Sequence, residues 1–132
     1  MLTAQTPIAR LTFDSTNSIL CIDLIRDAVA NPDTVRSHAE AIQKITGGQK
    51  HYVLINASNN YVRLDELADE LLLITYKNRI ASAYFTPTLA IRLRIIQIKK
   101  KSVSQKIEAF ASKEEAIQWI QDIRDPLFAS KS

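Results

Sequence analysis

The chain has two glycines among its 132 residues, Gly47 and Gly48, and they are adjacent. Dinucleotide fingerprints and phosphate-binding loops need several spaced glycines so that backbone can approach phosphate oxygens, so both are excluded. A single cysteine, Cys21, cannot close an internal disulfide. It lies in the apolar run Ile19–Leu24 and reads as a small buried hydrophobe. The two histidines, His38 and His51, have no tight cluster of cysteines or carboxylates around them, so no metal site or other cofactor is expected. No run of about 18 apolar residues occurs, and no segment is expected to span a membrane. The start of the chain, Met1 to Ile8, has no charged region leading into an apolar stretch, so it does not read as a signal peptide, and a cytoplasmic location is the expectation.

What is present is ordinary for a globular domain: 46% hydrophobic and 23% charged residues. The length suits a single domain spanning 1–132, with a core over about residues 9–124 and loose ends at Met1–Pro7 and after Asp125. The net charge of +3 is unevenly spread. Residues 1–76 carry six Lys/Arg against nine Asp/Glu, a balance of −3, and residues 77–132 carry eleven against five, a balance of +6. Such a layout steers an acidic partner toward the second half, or is a solvated surface without a partner.

Arg10–Asp14 alternates with Leu11 and Phe13 on one face, and Ser18–Leu24 is apolar and β-rich, so the two predict an antiparallel hairpin across the turn Ser15-Thr16-Asn17. Asn31-Pro32-Asp33 opens a helix with a capping residue, proline at the first helical position and an acid near the positive end of the dipole. Val35, Ala39, Ile42 and Ile45 continue it, and Gly47-Gly48 ends it. Tyr52–Asn56 predicts a strand buried on both faces. Leu64, Leu67, Ala68, Leu71 and Leu72 then mark an amphipathic helix to about Tyr76, and Ile80–Phe85 another strand.

Thr86-Pro87 repeats the cap-plus-proline signal. The segment Leu89–Lys101 fits two periods: Ile91, Leu93 and Ile95 alternate with Arg92 and Arg94, yet its length and terminal lysines suit a helix, which is the assignment taken. Lys106–Phe110 predicts a short strand, and Ser112 with Glu115 a capping box before a last helix on Ala116, Ile117, Ile120 and Ile123. The resulting order, β-β-α-β-α-β-α-β-α, implies an α/β fold: a mixed, mostly parallel sheet of four to five strands with helices packed on it.

Catalytic patterns are thin. Ser58, in Asn56-Ala57-Ser58-Asn59-Asn60, follows a strand, where α/β proteins place functional loops, but it lacks the glycine neighbours of a nucleophile elbow. Asp65, Glu66, Asp69 and Glu70 form an acidic patch at a predicted helix start, where a solvated face is the reading taken over acid–base work. Arg92, Arg94, Lys99, Lys100 and Lys101 form the strongest basic cluster. Without interleaved aromatics it does not suit single-stranded nucleic acid, and nucleic acid is not the expected partner.

Three segments in order, Ile45-Thr46-Gly47-Gly48, Tyr52–Asn56 and Glu114-Glu115-Ala116-Ile117-Gln118-Trp119-Ile120, give the chain a resemblance over about residues 9–124 to the STAS-like, or SpoIIAA-like, superfamily. The superfamily holds bacterial anti-sigma-factor antagonists and the STAS domains of sulfate transporters; the match is to an uncharacterised bacterial branch. The resemblance implies a four- or five-stranded mixed sheet and a helix at Pro87–Lys99. It also implies a regulatory, protein-binding role without catalysis. In the antagonists a kinase phosphorylates a serine in an Asp-Ser pair at the start of the second helix, and the added charge breaks the complex. Here Leu64, Asp65 and Glu66 fall on the Asp-Ser-Ser positions, so the switch serine is missing, and Asp65 would be a fixed negative charge in its place.

The resemblance thus points to protein binding through Ser58, Asn59, Asn60, Asp65 and Glu66. The alternative is that of the related SEC14-type fold, a small apolar or lipid-like ligand held beside residues 89–98, with Arg92, Arg94, Lys99, Lys100 and Lys101 at an anionic head. An exposed apolar helix face would also serve homodimerisation.

Overall fold

The structure is a computed structural model that describes residues 1–25, 29–58, 63–64, 78–101 and 106–125. The hairpin forms as the alternation requires. Strands β2 (Ala9–Asp14) and β3 (Ile19–Leu24) pair antiparallel, with Leu11 opposite Ile22 and Phe13 opposite Leu20. Before them runs β1 (Leu2–Gln5), antiparallel to β2, where the sequence suggested a loose end. Its apolar signal is weak because it is an edge strand with only Ala4 half-buried.

A two-residue strand β4 (Val29–Ala30) leads into helix α1 (Pro32–Thr46). The Asn31 side chain accepts from the Thr34 amide and the Thr34 hydroxyl accepts from the Asn31 amide, which closes a capping box. Gly47 ends the helix at φ 62, in the left-handed region where a side chain is strained.

Strand β5 (His51–Asn56) follows, then a second short strand β6 (Arg63–Leu64), which pairs in parallel with β4. Leu64 was expected to open a helix and instead lies in this pair; the remainder of that expected helix lies outside the described residues. Strand β7 (Arg79–Phe85), helix α2 (Leu89–Lys101), strand β8 (Ile107–Phe110) and helix α3 (Lys113–Arg124) complete the described chain. Residues 89–101 are therefore helical, as assigned. The helix starts later than Thr86-Pro87 suggested, because its first i to i+4 bond runs from Arg92 N–H to the Thr88 carbonyl. At α3 the Ser112 hydroxyl accepts from the Glu115 amide and donates to the Glu115 carboxylate, so the return half of the expected box uses the hydroxyl.

The main sheet has six strands in the order β1-β2-β3-β5-β7-β8, one more than the upper expectation because of β1. The pairs from β3 through β8 are parallel. Register aligns mostly apolar side chains into rows across it: Leu11, Ile22, Ile55, Tyr84 and Ala109 in one, Phe13, Leu20, Val53, the buried Ser82 and Ile107 in the next. Helix α1 seals the first part of these rows with Ile42 and Ile45. Helix α2 seals the far end, packing Ile91 and Ile95 on Tyr84, Ile107 and Ala109. The opposite face is covered by α3, whose Ala116 and Ile120 pack on Leu54 and Ala83, with Tyr52, Cys21, Phe85 and Phe110 around them.

Both histidines are buried on the α1 face, and neither is on the surface. Thr6 Oγ1 accepts from the amides of Ile8 and Ala9, and the Thr6 amide already occupies the Ala9 carbonyl at 2.8 Å. The Thr6 hydroxyl also lies 3.2 Å from the Ala9 carbonyl as a donor and 2.9 Å from His38 Nδ1, so the buried imidazole has a hydrogen-bond partner in Thr6. Burial, reinforced by the Arg79 cation, pushes the His38 pKa down to about 4. His51 donates from Nδ1–H to the Gln49 carbonyl at 2.8 Å, and its ring is edge-to-face with Phe13. Its pKa is lowered by burial and by Arg79, against the opposing pull of that carbonyl.

Candidate functional site

Of the first expected interaction site, only Ser58 is described; Asn59, Asn60, Asp65 and Glu66 lie outside the described residues. Ser58 is exposed at the carboxyl end of β5, held in a turn by its amide, which donates to the Asn56 side chain at 2.9 Å. His51 begins the same strand, so the rise per residue puts Ser58 and His51 roughly 20 Å apart. The fold does not bring this hydroxyl and this imidazole together. Among the described residues, no group of three or more His, Cys, Asp or Glu side chains is placed to hold a metal ion.

The basic cluster lies on α2, a helix with five Lys/Arg and no acid. Local structure uses part of it. Arg92 is half-buried and donates from Nη1 to the Thr86 carbonyl at 2.9 Å, tying the helix start to the end of β7. Lys99 forms an ion pair with Glu108 on β8. Arg94 is half-buried, Lys100 is exposed, and Lys101 closes the helix. Arg92, Arg94, Lys99 and Lys100 therefore spread around the helix and do not converge on one point.

Between them lies a feature that alternation along the sequence concealed. Ile91 and Ile95 point into the core, while Leu89, Leu93 and Ile96 are 61%, 51% and 41% exposed. Their spacing of four and then three residues puts all three on one stripe of the helix, with Lys100 continuing it. The signal was present as this helical spacing; it was masked because residues 89–98 are apolar often enough to satisfy several periods at once.

A second surface feature, also missed, flanks α3. Phe110 at the end of β8 and Trp119 on α3 are in contact, with ring centroids 5.8 Å apart and planes tilted by 50°. They floor a shallow, open groove whose remaining walls are Glu114, Glu115, Gln118 and Asp122. Three carboxylates thus rim an aromatic floor, on the opposite side of the sheet from α2.

No family model and no curated protein matches this sequence. Among solved structures, the chain is similar to an uncharacterised protein of the DUF3478 family from Shewanella loihica, whose crystal structure is described as having a SpoIIAA-like fold. The match has a TM-score of 0.64 at 12% identity and covers 90% of this chain and 98% of that one. The fold is SpoIIAA-like. At that identity the likeness speaks for the architecture alone, and it bears out the mixed, mostly parallel sheet that the three sequence segments implied. Within the described part of this SpoIIAA-like fold, no helix is long and apolar enough to cross a membrane.

Proposed function

We propose that this chain is a non-enzymatic, cytoplasmic interaction domain that binds a protein through the outward face of α2. The observation that carries the reading is the Leu89, Leu93 and Ile96 stripe, left in water on a helix whose Ile91 and Ile95 reach the core. Burying exposed apolar area on a partner is favourable by about 25 cal/mol per Å², and helix faces with this spacing are a recurrent docking element. The exposed Lys100, which continues the stripe on a helix without an acid, favours an acidic or amphipathic partner and speeds its encounter. Phosphorylation of the SpoIIAA type is not part of the reading, because Leu64, Asp65 and Glu66 supply no hydroxyl at the switch positions.

A small anionic, lipid-like ligand is the weaker reading. The geometry turns the apolar side chains outward, and Thr86 and Glu108 already engage two of the cations such a head would need. The test is capture from a native lysate by the purified protein and by Leu93→Asp. A stoichiometric protein held by the first and lost by the second, both with the same melting temperature, supports the reading. Equal capture by both removes α2 from it, and a melting temperature raised by a lipid panel favours the ligand.

A further inference from the structure

The stripe of α2 and the groove of α3 are opposites in shape and charge. The first is a convex ridge of Leu89, Leu93 and Ile96 on a helix with five cations and no acid. The second is a concave aromatic floor, Phe110 and Trp119, with Glu114, Glu115 and Asp122 at its rim. They cannot meet within one chain, because the sheet separates them: α2 packs on the face that carries Tyr84, Ile107 and Ala109, and α3 on the face that carries Leu54, Ala83 and Phe85.

We propose that the occupant of the α2 stripe is a second copy of this chain, which receives it in its own α3 groove. The proposal rests on the reading of α2 as a protein-binding face and names the partner. Both surfaces border β8, which ends the strand order. Helix α2 packs on β8 through Ile107 and Ala109, and the groove takes Phe110 from the same strand. A two-fold axis running along β8 turns one copy over, exchanges the two faces of the sheet, and sets α2 of each copy toward α3 of the other on both sides. This arrangement forms both contacts at once and closes the assembly, as most homo-oligomers require. Pairing about an axis perpendicular to the sheet would instead place α2 against α2, two helices that carry cations and no acid, and is disfavoured by like-charge repulsion. Trp119 and Phe110 supply aromatic faces to which the exposed Lys100 is attracted, adding to the carboxylates.

The experiment is sedimentation velocity on the full chain over a range of concentrations and salt, with two surface variants. Leu93→Asp spoils the ridge, and Glu114→Lys with Asp122→Lys spoils the groove; all three positions are exposed, and circular dichroism checks that each variant is folded. The wild type is expected to self-associate, less so as salt screens the charges. Each variant alone is expected to lose about tenfold or more in self-association. An equimolar mixture of the two restores a one-to-one heterodimer, since one intact ridge then meets one intact groove. Three results overturn the proposal. A wild type that stays monomeric removes the second copy as occupant. If Leu93 still governs capture of a different protein, the α2 reading survives; if it governs nothing, that reading falls too. A dimer that the mixture does not restore points to another interface, and flotation of a monomeric wild type with anionic vesicles assigns the ridge to a membrane surface.

Discussion

Helices α1 and α2 pack on the same face of the sheet and use their apolar residues differently. In α1, Val35, His38, Ile42 and Ile45 all face inward, and even the histidine is given a partner in Thr6. In α2, two isoleucines reach the core and three large apolar residues stand in water. Stability on this face is concentrated under α1, while α2 carries surface that folding does not need. The first is the pattern of a structural helix, and the second is the ground for proposing α2 as a binding face, since exposed apolar stripes on a folded surface mark interaction sites.

The largest effect that tests this contrast is truncation under α1. Phe13→Ala removes a fully buried ring from the row that α1 covers, and is expected to cost about 3–5 kcal/mol in urea denaturation. A cost below about 1 kcal/mol would show that this row is not the core.

Acid comes next. The folded His38 titrates near 4, well below its ordinary value of 6.5, so the unfolded chain binds the proton first. Stability is therefore full above about pH 6.5 and falls as the pH drops toward 4, by up to about 3 kcal/mol from the shift. The lowered pKa of His51 acts in the same direction. Denaturation midpoints measured between pH 7 and 4 check this, and in His38→Phe the slope flattens; an unchanged slope in that variant would place the acid sensitivity elsewhere.

Smaller again is the α1 cap. Asn31→Ala leaves the Thr34 amide without its acceptor and is expected to cost about 1 kcal/mol, read as a lowered melting temperature. Smallest of all is Leu93→Asp, expected to change stability by less than about 0.5 kcal/mol because the side chain is already in water. A loss comparable to that of Phe13→Ala would erase the distinction between the two helices.

The same contrast explains what was legible in the sequence. The β2–β3 hairpin, α1 and β5 could be read because their signals are local: alternation in Leu11 and Phe13, Asn31-Pro32 at one end and Gly47 at the other, an unbroken run at Tyr52–Asn56. Strand β1 could not, since an edge strand with one half-buried alanine needs little hydrophobic content. Strands β4 and β6 are two residues each and exist only through their mutual pairing, a long-range fact. For α2 the existence of the helix was legible but not its orientation, because apolar residues lie on both its sides and only the neighbouring β8 decides which side is buried. The α3 groove depends on Phe110 and Trp119 meeting across the α3–β8 junction, which neither residue announces alone. The basic residues were found as a cluster along the chain, yet helix geometry and the Thr86 and Glu108 partners disperse them in space.

Side-chain oxidative footprinting of the purified protein, at low and at high concentration, tests most directly whether α2 is a binding face. In dilute solution Leu89, Leu93 and Ile96 should react as readily as the exposed Leu2, and in concentrated solution they should become protected together with Trp119. A stripe that is already protected when dilute, or equally reactive at every concentration, would contradict the account of α2 as a face held open for a second copy.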